Sequence, residues 1–373
     1  MLTEFDLIKQ YFQRSRAGRA TLGIGDDCAL LTPTPGMLTA ISSDMLVEGR
    51  HFFAGADPRM LGHKCLAVNL SDLAAMGARP VGFTLALALP EADPAWLAEF
   101  SAGLFALADA FDCELIGGDT TRGPLTICIT IFGELAPGHA LRRDAAKAGD
   151  DIWVSGTLGD ARLALESYWD KYPLAEDALA VASQRMHRPW PRVQLGAALA
   201  AAPAARAAID ISDGLVGDLK HILAASDVGA TLDVDALPVG SVLSLQPQAL
   251  RRRFCAAGGD DYELCFTAPV SARKAVVAAG AATGTAVTRV GKIEARPYAV
   301  IVCAGSDGSK AVRHTERIAT GWRLKKVADS IIVCTNAQTP EAILARKIIG
   351  EPDLAAARDL GTALAAGLAL GIF

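Results

Sequence analysis

Aspartates recur in this sequence where apolar runs end or are interrupted. Asp26 and Asp27 follow Gly23-Ile24-Gly25, and Asp44 follows the strand-like stretch 38–43. Asp72 stands inside Asn69-Leu70-Ser71-Asp72-Leu73-Ala74-Ala75-Met76. Asp119 follows Gly117-Gly118, Asp210 and Asp213 lie in Ile209-Asp210-Ile211-Ser212-Asp213-Gly214, and Asp260 and Asp261 follow Gly258-Gly259. Acids at the ends of apolar strands stand where open α/β sheets place their binding crevices. Two carboxylates about 5 Å apart repel by roughly 3 kcal/mol at an effective dielectric near 20. Several in one crevice therefore require divalent cations. Aspartate and serine oxygens without His or Cys select a hard ion, Mg²⁺ rather than zinc. A crevice loaded with Mg²⁺ attracts phosphates although the chain's net charge is −5. Asp-Gly, Gly-Asp and Asp-Asp are also ordinary turn signals. That reading suits Asp150-Asp151 and remains open for Asp26 and Asp27. The repeated apolar context argues against it for Asp44, Asp72, Asp119 and Asp213.

The elements that must carry these acids follow from periodicity and punctuation. Residues 38–43 read as a strand running into Asp44. Residues 58–76 read as a helix, with Pro58 in its first turn and Gly77 at its end. An Asp at position 72 among Val68, Leu73 and Met76 is then a buried carboxylate in need of a partner. Strands are expected at 82–89, 113–116, 125–135, 152–155, 208–211, 231–234 and 262–267, with a helix at 94–111. The small, polar stretch 137–151 reads as a joint. Alternating strands and helices on both sides of it imply two α/β domains.

Composition excludes several classes. Hydrophobic residues make up 51% and charged residues 21% of the 373, as in a packed globular protein. The acidic balance speaks against a nucleic-acid binder. Eight cysteines are scattered without C-x-x-C spacing, which speaks against a zinc or redox motif and for reduced thiols in a cytoplasmic protein. No apolar run approaches the roughly 20 residues of a membrane span, and the first residues read as a capped helix, not a signal peptide. There is no G-x-x-x-x-G-K-[ST] loop and no protein-kinase motif set.

The blocks GIGDDC (23–28), SDMLVEGRHF (43–52), AVNLSDLAAMG (67–77), GGDTTRG (117–123), IDISDGL (209–215) and GGDDYEL (258–264) resemble, in order, the motif series of thiamine-monophosphate kinases. These belong to the superfamily of aminoimidazole ribonucleotide synthetase and selenophosphate synthetase. The resemblance covers residues 3–322. It implies an α/β fold of two domains: an N-terminal domain (1–138) whose mixed sheet pairs with that of a second subunit in a homodimer, and a C-terminal α/β sandwich domain (149–322). It implies transfer of a phosphoryl group from ATP to thiamine monophosphate, assisted by several Mg²⁺ ions. Carried over position by position, it implies Mg²⁺ binding by Asp27, Ser42, Ser43, Asp44, Asp72, Asp119, Asp210 and Asp213. It implies ATP contacts from Gly118, Asp119, Arg143 and Ser212, and substrate contacts from His51, Asp260 and Trp322. Asp260 stands where the family usually has Glu. Residues 323–373 fall outside the pattern and contain a plausible strand at 330–335 and a helix at 352–370. The acceptor phosphate is already deprotonated, so no protein nucleophile is expected, and transfer is direct. The alternatives are another ATP-using enzyme of this superfamily and a non-catalytic nucleotide-binding scaffold.

Overall fold

The computed structural model describes residues 4–14, 18–295, 297–321 and 324–369. Apolar residues alternating with Thr, Ala and Ser build a first, four-stranded sheet. Its order is Leu38–Val47, Thr126–Leu135, Arg79–Leu89, Glu114–Arg122. The first two contacts are antiparallel and the last is parallel. Phe83, Leu85, Leu87, Ile127, Ile129 and Ile131 point to one face and are buried beneath the helices Pro58–Met76 and Pro94–Ala110. Each such side chain contributes roughly 1.5–3 kcal/mol.

Both helices begin as their sequences dictate. The Asp57 carboxylate accepts from Met60 N at 2.8 Å and the Asp93 carboxylate from Ala95 N at 2.9 Å, each with proline in the first turn. The first helix ends on Gly77 in the left-handed region (φ 72°). A side chain there would meet the Ala200 Cβ at 2.5 Å, so glycine also lets the helix end approach the helix Val193–Ala201.

The second sheet has five strands in the order Ala208–Asp210, Leu264–Ala268, Asp151–Ser155, Val287–Glu294, Gly229–Leu232, antiparallel throughout. Its two faces serve two cores. Ile152, Val154, Ile209, Cys265 and Ile293 pack with the helices Asp160–Tyr168, Leu215–Ser226 and Gln248–Ala257. Trp153, Leu264 and Phe266 join Leu195, Leu199 and the first sheet's interior in one continuous cluster. The joint at 137–151 therefore separates two sheets that share a core.

Several expected boundaries shift. The strand at 38–43 continues to Val47, and the strand expected at 113–116 spans Glu114–Arg122. Asp44 and Asp119 thus lie within strands and not at their ends. Asp151 is not a turn residue. It opens a strand, is buried, and pairs with Arg273 at 2.6 Å and Arg289 at 3.5 Å. Asp150 does close a turn, accepting from Lys147 N at 3.0 Å. Cys28, Cys303 and Cys334 are exposed, whereas Cys65, Cys113, Cys255 and Cys265 are buried, all as free thiols. In the tail, strand Ile331–Cys334 lies parallel to Ile301–Ala304 across the helix Ser309–Gly321, and a helix follows at Glu351–Ala369. No helix among the described residues is long and apolar enough to cross a membrane.

Candidate active site

A cavity of about 850 Å³ opens between the Pro58–Met76 helix and the loops after Asp210 and Gly258. Leu61, Lys64, Val68 and Asp72 line it because a spacing of three or four residues puts them on one helical face.

Three residues of Asn69-Leu70-Ser71-Asp72 each hold one piece of the site. The Asn69 Oδ1 accepts from the backbone N–H of Asp44 at 3.2 Å. The Ser71 hydroxyl donates to the Asp210 carboxylate at 2.8 Å. The Ser42 hydroxyl donates to the Asp72 carboxylate. Asp44, Asp72 and Asp210 come together as a result, and each lies in the field of its neighbours. Burial, with the nearby Asp72 charge, pushes Asp44 up to about 6. Burial, then the charge of Asp72, pushes Asp210 up to about 7. Burial also raises Asp72, against the Ser42 hydrogen bond and the positive charge of Arg143. These are carboxylates short of positive charge.

The loop Ser212-Asp213-Gly214 is shaped by a residue that sequence reasoning missed. The Asp218 Oδ2 accepts from the N–H groups of Ser212, Asp213 and Gly214 at 3.0, 3.1 and 3.1 Å. Its only sequence signal was an acid in the first turn of a helix after Asp-Gly. The backbone around Asp260 is pinned by two hydrogen bonds: its N–H donates to Ser212 O, and Tyr262 N–H donates to Ile211 O, both at 2.8 Å. Asp260 and Tyr262 both adopt positive φ, 66° and 49°. The Asp260 Oδ1 accepts from Lys64 Nζ at 3.1 Å and from the Tyr262 hydroxyl at 3.2 Å. Neighbouring acids point elsewhere. Asp261 accepts from Gly159 N, and Glu263 is buried between Arg185 and Arg192. His51 lies on the cavity wall with Nδ1 accepting from Val47 N at 3.0 Å, which leaves the proton of the neutral ring on Nε2.

The cavity thus gathers His51, Asp44, Asp72, Asp210, Ser212, Asp213 and Asp260. Arg143 sits within electrostatic reach of Asp72, on a short turn whose Arg143 carbonyl accepts from the Ser226 hydroxyl at 2.7 Å. Asp27, Gly118 and Asp119 are not brought in. Asp119 pairs across strands with Ala86, Ala86 with Cys128, and Cys128 with Met45. The Asp119 side chain therefore leaves the sheet by the face opposite Asp44, from the far edge strand. Three strand spacings of about 4.8 Å separate the two by about 14 Å, so within one chain no single ion can touch both. Strand alternation also parts the two serines. Ser42 meets Asp72, while the Ser43 hydroxyl lies 3.0 Å from that of Thr130 on the outer face. Gly118 has φ 149°, and a side chain there would strike Leu85 O at 1.9 Å. Asp27 is exposed in a bend, and Trp322 lies outside the described residues. Among the described residues no three His, Cys, Asp or Glu side chains form a ready metal cage.

Comparison with known proteins agrees with this architecture. Residues 25–135 match the family model of the AIR synthase related protein N-terminal domain, and residues 147–303 match that of its C-terminal domain. A thiamine-monophosphate kinase from Salmonella typhimurium is 49% identical over 298 residues, which is 78% of this chain and 90% of that protein. The crystal structure of thiamine-monophosphate kinase from Stenotrophomonas maltophilia K279a superposes with a TM-score of 0.70 at 48% identity, covering 74% of this chain and 88% of that one. A structure described as AaThiL complexed with AMPPCP and TMP matches with a TM-score of 0.63 at 29% identity, covering 70% and 83%. The chain belongs to the thiamine-monophosphate kinase family.

Proposed function

We propose that the protein transfers the γ-phosphoryl group of ATP to the phosphate of thiamine monophosphate, giving ADP and thiamine diphosphate. An oxygen of the acceptor phosphate bonds to the γ-phosphorus as the bond to the β,γ-bridging oxygen breaks. The observation that carries this reading is the convergence of Asp44, Asp72 and Asp210 in a cavity that also holds Asp260 and His51. The relative described as complexed with AMPPCP and TMP supports both substrates.

The donor set fits Mg²⁺. It is all oxygen, and burial together with the charge of Asp72 pushes Asp44 and Asp210 up, a crowding that a divalent cation would relieve. Mg²⁺ is usually held by one or two carboxylates together with substrate phosphates, which suits acids that form no complete cage. Asp44, Asp72, Asp210 and Asp213 would hold the ions within the cavity, with Ser42 reaching them through Asp72. Ions so placed would neutralise the facing phosphates. Arg143 and Ser212 would contact the nucleotide, and His51 and Asp260 the thiamine phosphate. Asn69, Ser71 and Asp218 hold these groups in place before substrate arrives, which is where phosphoryl transfer gains its rate.

We further propose the homodimer through the outer face of the first sheet, where Ile41 and Met45 are exposed beside the half-buried Cys128 and Phe132. That face also carries Asp119 and Ser43. A second copy laid against it would give Asp119 a role that the single chain does not. The domains are taken as 1–138 and 149–322 with an extension at 323–373, in a cytoplasmic enzyme. The test is ADP release that depends on thiamine monophosphate and not on free thiamine, whose hydroxyl would need a general base. Release in its absence, or trapping of a phosphoenzyme, would contradict direct transfer to this acceptor.

A further inference from the structure

Lys64 is an unusual wall residue for this cavity. Its side chain is 7% exposed, and among the described residues its one ion-pair partner is Asp260 at 3.1 Å. Burying an ammonium is costly unless its donors are used. An ammonium has three N–H donors, and among the described residues only Asp260 takes one. Lys64 stands eight residues before Asp72 on the same cavity-lining face, about 12 Å along the axis at 1.5 Å per residue. Its side chain leans toward the helix N-terminus, away from the acids. Along the helix Lys64 thus stands toward one end and Asp72 toward the other, while the partner of Lys64, Asp260, lies close to the acids, because Tyr262, which donates to Asp260, also feels the charges of Asp210 and Asp44. A phosphate drawn to the Asp72 end leaves the two rings of thiamine to extend along this face.

Resting on the function proposed above, we infer that Lys64, with Asp260, reads the aminopyrimidine ring of thiamine monophosphate. On one edge that ring carries an exocyclic amine, a donor, beside a ring nitrogen, an acceptor. The Asp260 carboxylate, whose Oδ1 is taken by Lys64 and Tyr262 and whose Oδ2 remains as acceptor among the described residues, and Lys64 Nζ offer the complementary acceptor and donor side by side. The Tyr262 hydroxyl, which also donates to Asp260, keeps the carboxylate from turning away. A lone carboxylate would accept from an amine in any orientation. The neighbouring donor makes recognition depend on the order of the two groups.

The test compares thiamine monophosphate with its 4-oxo analogue, in which the exocyclic atom becomes an acceptor and the ring nitrogen a donor. The full chain is assayed with MgATP as wild type, Lys64→Met and Lys64→Arg. The wild type should prefer thiamine monophosphate. In Lys64→Met the ratio of kcat/KM values should fall by about tenfold or more, because a site that hydrogen-bonds its substrate rejects mismatched analogues strongly. The KM for thiamine monophosphate should rise more than that for ATP. Lys64→Arg keeps the charge but redirects the donors, and should lose part of the preference. It carries the test alone if Lys64→Met does not fold. An unchanged ratio in a folded variant would overturn the inference, and if both kcat/KM values fell equally Lys64 would be a phosphate anchor. A wild type that phosphorylates neither compound would instead refute the functional reading on which the inference rests.

Discussion

Replacing Asp210 by Asn should stabilise the metal-free protein above neutral pH while removing its activity. Asp210 is 7% exposed and is pushed up to about 7 by burial and by the charge of Asp72. A carboxyl whose folded value lies above its unfolded value favours the protonated form when folded. Its contribution to stability is therefore intact below the unfolded value of 3.8 and is lost as the pH rises toward 7. Over that range the loss is roughly 4 kcal/mol, at about 1.36 kcal/mol per pH unit. Asp44 and Asp72 titrate with it, so about half of that is a fair expectation for one site. Asparagine carries no charge and still accepts from the Ser71 hydroxyl through its carbonyl oxygen. The advantage of Asp210→Asn over wild type should then grow by about 1–3 kcal/mol between pH 5 and pH 8. Urea unfolding in EDTA at the two pH values measures this directly. Adding Mg²⁺ and an ATP analogue should reverse the order, since a ligand 100-fold above its dissociation constant contributes about 2.7 kcal/mol to the protein that binds it. A difference between the two proteins that does not change with pH would show that Asp210 ionises freely, and the crowding argument would fail.

Asp218→Ala should lower stability by about 2–4 kcal/mol, because three loop N–H groups lose one acceptor, and should raise the KM for ATP. Calorimetry with steady-state kinetics checks both, and unchanged values would mean that the loop holds itself. Asp151→Asn should lower the melting temperature modestly, because the buried Asp151 loses its charge-assisted bonds to the half-exposed Arg273 and Arg289. Turnover per folded molecule should not change, since Asp151 lies outside the cavity. Deleting residues 324–373 should leave kcat within about tenfold, a barrier change below about 1.4 kcal/mol, because no described residue of that segment lines the cavity. It also removes the hydrogen-bonded partner of strand Ile301–Ala304, so faster proteolysis around residues 297–304 should accompany it. Loss of activity in a folded truncation would make the tail part of the enzyme.

The sequence exposed the acids because charge is conspicuous against apolar context. Asp72 is the clearest case: a helix of Leu, Ala and Val has no other use for a carboxylate, and the structure puts it against Ser42 beside Asp44 and Asp210. What pattern could not supply was direction. At strand ends Asp44 and Asp119 would both reach one crevice. Each strand in fact continues three residues past its aspartate, to Val47 and Arg122, and the inter-strand register decides the outcome. Because side chains alternate, the pairing of Asp119 with Ala86, and not with Leu85, sends it to the other face. The bulge between Phe83 and Thr84 sets that pairing. A single residue more or less in the bulge would have pointed Asp119 inward, and nothing in GGDTTRG reveals it.

The same reasoning separates what a motif shows from what a site needs. Asn69, Ser71 and Asp72 lie close in sequence yet reach a strand, a second sheet and a serine, so the block AVNLSDLAAMG is as much a clamp between domains as a set of ligands. Lys64 and Asp218 lie outside the acid pattern. One is a cation, and the other looks like an ordinary helix-start acid, so neither stood out by residue type. Their roles come from burial and from the partners they serve, which are properties of the folded chain. The acids mark where charge must be neutralised, and these two residues mark where geometry must be held. Altering the acids should therefore act mainly on turnover, and altering Lys64 or Asp218 mainly on substrate binding and selectivity.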